Sequence, residues 1–106
     1  MKNVLVIAFI LVLSGCSSKP PKARVQNNAN DTANVLFKAA GGGTVSINSV
    51  GPGTTSPLSE ISKGGNTVIS ETKSVDDTDA ITCATAKEYT AVVDSIGKLT
   101  IRESNQ

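Results

Sequence analysis

Ten consecutive apolar residues at positions 4–13, VLVIAFILVL, limit how much hydrophobic material is left for the rest of the chain to fold around. With Met1 they hold eleven of the 41 hydrophobic residues in a sequence of 106. From Cys16 onward about 30 of 91 residues are hydrophobic, only Phe37 and Tyr89 are aromatic, and Ser, Thr, Asn and Gly fill 37 positions. That remainder suits one small domain and excludes a multi-pass membrane protein. The chain has no His and no Trp. Ser-His and Cys-His nucleophiles and His-ligated metals are therefore excluded.

The apolar run follows a short start carrying Lys2. At about 1.5 Å per residue it reaches roughly half of a ~30 Å hydrocarbon core, too little for a permanent membrane span. A charged start, a short apolar run and small residues after it describe a secretory signal peptide over residues 1–15. The small residues, Leu13-Ser14-Gly15-Cys16, resemble the lipobox of bacterial lipoproteins. The resemblance covers about the first 18 residues and implies cleavage before Cys16 and lipidation of its thiol and new amino group. Two or more acyl chains give stable anchoring where one gives marginal binding. Ser17 and Ser18 follow, without the Asp that marks inner-membrane retention in Gram-negative members. The resemblance therefore implies a periplasm-facing outer-membrane protein.

Residues 16–34 read as the lipidated Cys and a flexible tether, because Val25 is the only large apolar side chain among residues 17–34 and cannot offset the entropy of ordering. Pro20-Pro21 stiffens its start toward polyproline II geometry. Lys19, Lys22 and Arg24 make residues 17–30 basic, whereas residues 31–106 carry six bases and nine acids. The stem is thus basic and the head acidic. An acidic head, an export signal and no basic-aromatic surface argue against nucleic-acid binding.

Residues 35–106 read as a small, mainly β domain: a short antiparallel sheet with a C-terminal hairpin. A small α+β arrangement is the alternative, since Asp31-Thr32 followed by Ala33, Leu36, Phe37 and Ala40 favours one short N-terminal helix over a competing strand at residues 34–38. Residues 44–50 alternate as a half-buried strand. Ser56-Pro57 is placed to open a single helical turn through Leu58 and Ile61. Residues 67–75 are β-rich, with Asp76-Asp77-Thr78-Asp79 expected to close them in a turn. Residues 80–93 lean toward strand through their Thr and Val content. Residues 89–93 and 98–102, joined by Asp94-Ser95-Ile96-Gly97, form the hairpin. Lys98, Thr100 and Arg102 share its outer face, which suits an edge strand. Eighteen Val, Leu, Ile, Phe and Tyr residues between positions 35 and 102 are candidates for burial, and a domain of that size is marginal alone.

Few residues suggest chemistry. Cys83 has no intramolecular partner once Cys16 is lipidated, so it is either a core thiol or an intermolecular disulfide. Asp76, Asp77 and Asp79 match a calcium loop poorly, because Ile81 and Thr82 stand where ligands and a glycine belong. Gly41-Gly42-Gly43 precedes a strand and so makes no phosphate loop. We expect no catalytic residue, metal, cofactor or small-molecule substrate beyond the covalent lipid on Cys16. The expected role is that of a non-enzymatic accessory or assembly component of an envelope complex of the secretion, conjugation or pilus type. Its protein partner would be met at Lys98, Thr100 and Arg102. The alternative is a surface-exclusion or inhibitor lipoprotein of plasmid or phage origin, and a small envelope hydrolase is remote.

Overall fold

The computed structural model describes residues 19–73 and 75–106. The signal peptide and Cys16 lie outside the described residues. Eight strands form two four-stranded sheets around one shared core. The first sheet has the order β4-β1-β7-β8 and the second β3-β2-β5-β6, where β1 is Lys22–Asn27, β2 Ala33–Ala39, β3 Thr44–Val50, β4 Ser59–Glu60, β5 Gly64–Glu71, β6 Asp76–Cys83, β7 Lys87–Val93 and β8 Leu99–Asn105. Of the strand pairs described, β1 with β7 is parallel and the others are antiparallel.

The mainly β expectation holds, including the C-terminal hairpin with β8 on the sheet edge. The tether expectation fails from Lys22 onward. Residues 22–27 form β1, an interior strand of the first sheet, and bury Ala23, Val25 and Asn27 completely. Two of these inward residues are small or polar, so the segment carries no hydrophobic alternation. Asn27 replaces apolar bulk with hydrogen bonds. Its Nδ2 donates to the carbonyls of Val50 (2.9 Å) and Asp31 (2.7 Å), and its Oδ1 accepts from the Ala29 N–H (3.0 Å).

The N-terminal helix is also corrected. Residues 33–39 are β2, with Ala33, Val35 and Phe37 inward. Strand neighbours on both sides, β3 and β5, take up its backbone groups, whereas a helix of two turns would have stood alone without enough of its own cooperativity. Residues 56–61 form no helical turn either. They run extended beside β1, with Ser56 N–H to Val25 C=O (2.8 Å) and Ile61 N–H to Pro21 C=O (3.0 Å). Covering the open side of β1 outweighs one isolated turn. The acidic turn is displaced as well. The chain reverses between β5 and β6, with Thr72 N–H to Val75 C=O (2.9 Å), and Asp76, Asp77 and Asp79 lie in β6.

Phe37, Val35, Val25, Val68 and Val93 are the largest sealed apolar side chains, with Ile47, Val50, Ile61, Tyr89 and Leu99 around them. Leu58, Val75 and Ile96 do not join the core, and Ile96 is 72% exposed on the β7–β8 turn.

Candidate partner-binding edge

An open sheet edge presents every second residue's N–H and C=O outward. In the β7–β8 pair the flanking bonds run from Asp94 N–H to Lys98 C=O (3.0 Å) and from Gln106 N–H to Ala86 C=O (3.0 Å). In this register Thr100, Arg102 and Ser104 turn their backbone groups toward β7, and Leu99, Ile101, Glu103 and Asn105 turn theirs outward. Among the described residues no strand pairs with β8 on that side.

The three residues singled out from the sequence therefore have distinct positions. Thr100 and Arg102 project from the outer face of the first sheet, and Arg102 Nη2 reaches across β7 to Gln26 Oε1 (3.1 Å). Lys98 belongs to the turn, where its N–H and that of Ile96 donate to Asp94 Oδ1 (2.9 and 3.0 Å). None of the three supplies the edge's free backbone. Ile101, Glu103 and Asn105 do, and sequence reasoning misses them because the hydrogen-bonding parity of a strand depends on its register with a neighbour.

Part of this edge is already occupied. The Leu99 N–H donates to Asp77 Oδ2 (2.8 Å), which joins β8 of one sheet to β6 of the other. This bond, followed by that from the Thr78 N–H and by nearby Lys98, holds the Asp77 carboxyl below its ordinary range. Asp77 thus guards the upper end of β8 and leaves its lower half open.

Cys83 is 1% exposed in the core, and Asn66 Nδ2 lies 3.4 Å from its sulfur. Burial, the largest influence, pushes its thiol up and disfavours the thiolate. Burial supports the core-thiol reading over the disulfide reading, which would need local opening to bring the sulfur to a second chain. Tyr89 beside it accepts the Ala84 N–H (2.8 Å) and donates to the Thr82 carbonyl (3.3 Å), which clasps the β6–β7 turn.

At the other end of the second sheet a shallow groove of about 520 Å³ is lined by Asp31, Thr32, Asn34, Glu71, Thr72, Lys73 and Asp76. It is broadly open to water. Among the described residues no group of three or more His, Cys, Asp or Glu side chains is arranged to hold a metal. No described helix is long and apolar enough to cross a membrane. Neither a protein-family model nor a curated protein sequence matches the chain.

Proposed function

We propose that this protein is a lipid-anchored envelope lipoprotein that serves as a non-enzymatic accessory or assembly component, binding a protein partner by strand addition along β8. The observation that carries this reading is the open lower half of β8, whose outward backbone groups at Ile101, Glu103 and Asn105 meet no strand among the described residues. An edge of this kind accepts an extended segment through main-chain bonds, and flanking side chains select which segment.

The short approach to the membrane supports the same reading. Lys19 is already fastened to the head, its carbonyl accepting the Ala86 N–H (2.9 Å). Cys16 lies three residues earlier, so a lipid there would hold the head within about 11 Å of its attachment point. Such a head acts at the membrane surface and has little reach.

Two experiments test the reading. Metabolic labelling with palmitate should mark the wild type and not Cys16→Ala, and an unlabelled wild type would remove the anchor. Glu103→Pro places proline on an outward-facing N–H and should leave the domain folded. Cross-linking in native membranes should then lose the partner adduct, and an undiminished adduct with intact folding counts against β8. Protease added to intact cells separates the surface-exclusion alternative, which requires an outward, cleavable head.

A further inference from the structure

The strand registers bring charges together that the sequence keeps apart. β1 and β7 start at the same end of the first sheet, where Lys22 stands beside Glu60 and Glu88, and where β8 finishes. β5 starts and β6 finishes at that same end, near the β2–β3 turn. Lys19, Lys22, Lys38, Lys63 and Lys87 gather there against Glu60 and Glu103. Glu88 is taken by Arg24 at 2.6 Å, and Glu103 lies 3.7 Å from Lys87. The opposite end has the reverse balance, with Asp31, Glu71, Asp76, Asp77 and Asp94 against Lys73 and Lys98. The head is therefore polarised along its strands, basic at one end and acidic at the other.

The basic end is also where the chain enters. Besides Lys19, Pro20 is pinned there by Gln106 Nε2 to its carbonyl (2.7 Å) and Pro21 by the Ile61 N–H (3.0 Å). Cys16 can lie no more than about 11 Å from Lys19, close to the ~8 Å screening length at physiological salt. A seven-residue strand places the acidic end roughly 20 Å farther away, beyond the reach of a screened surface potential.

We propose that the basic end is a membrane-docking surface that rests on anionic phospholipid headgroups. In this arrangement the strands stand upright on the bilayer, the acidic end is presented away from it, and the open lower half of β8 runs down toward the headgroups. The placement rests on an anchor at Cys16, and the docking contact itself is a separate property of the lysines. Each surface contact is weak alone, but the tether makes it intramolecular and so raises its effective concentration.

The test uses the chain from Cys16 to Gln106, coupled through the Cys16 thiol to a maleimide lipid in vesicles. Buried Cys83 is shielded from this coupling. Lysine acetylation, read by mass spectrometry, compares phosphatidylglycerol-containing with pure phosphatidylcholine vesicles. Lys19, Lys38 and Lys63, all exposed in the free head, should be protected several-fold on the anionic vesicles alone, and high salt should remove the protection. Lys73 and Lys98 should label equally on both. Replacing Lys19→Glu and Lys63→Glu together should abolish protection at Lys38. Equal labelling of all five lysines on both vesicles, or protection of Lys73 and Lys98 instead, would overturn the docking surface. Because the coupling is synthetic, these results do not depend on palmitate labelling. Failure of the natural anchor is therefore read separately.

Discussion

Two of the side-chain stitches between the sheets work by opposite means. On the β1–β3 side the stitch is Asn27, fully buried and neutral, with three side-chain hydrogen bonds that reach Val50 and the chain leading to β2. On the β6–β8 side it is Asp77, a charged group at the surface, with one bond to Leu99 and one to its neighbour Thr78. A buried amide has no competing water, so each of its bonds is costly to remove. A surface carboxylate can exchange its partners for water, and its strength follows pH and salt. The first seam is thus permanent. The second is adjustable, and it borders the edge to which we assign partner binding.

The contrast predicts unequal losses. Asn27→Ala strands the Val50 carbonyl and the Ala29 N–H in the interior, releases the half-buried Asp31 carbonyl, and should cost about 3 kcal/mol in denaturant unfolding. That loss should be the same at low and neutral pH, and a clear pH dependence would break the comparison. Gly97→Ala acts on the other side, through packing. Gly97 has φ +84°, and an added Cβ would fall 2.8 Å from Val75 Cβ, so a loss of about 2 kcal/mol is expected. A loss no larger than that at Gly53, which has φ +72° and open space around it, would show that Val75 gives way.

Asp77→Asn should be the mildest, and its signature is the pH profile. The folded carboxyl lies below its ordinary value near ~3.9, so its contribution is full above that value and disappears as pH falls through the lower folded one. The wild type should lose stability across this acid window, and Asp77→Asn should flatten that part of the curve. Identical acid limbs in both proteins would remove Asp77 as a stitch. If the seam guards β8, the same variant should also quicken exchange of the Leu99 amide and leave that of Asn27 unchanged.

Several strands are legible in the residue pattern. Alternation at Val45 and Ile47, and again at Leu99 and Ile101, marks β3 and β8, because one apolar face beside one polar face admits only the strand period. Late Gly97 and early Asp94 mark the turn between β7 and β8. β1 is not legible. A strand that buries Ala23 and Asn27 beside a single valine carries almost no hydrophobic signal, and its order depends on partners 31 to 66 positions away. β2 misleads because Ala33, Leu36, Phe37 and Ala40 fit a helical face as well as Ala33, Val35 and Phe37 fit a strand.

The candidate site divides in the same way. Charged residues on an edge-like strand point to β8, but the outward amides depend on register and so belong to Ile101, Glu103 and Asn105. Residue type and local order are enough for the export-like start, the lipobox resemblance, the mainly β composition and the lone Cys83 of the head. Long-range pairing is needed for the rest: β1 as part of the fold, the sealing of Cys83, the Asp77 bridge between the sheets and the gathering of lysines at the end the chain enters. Those properties arise where distant segments meet, and local propensity carries no record of which segments will do so.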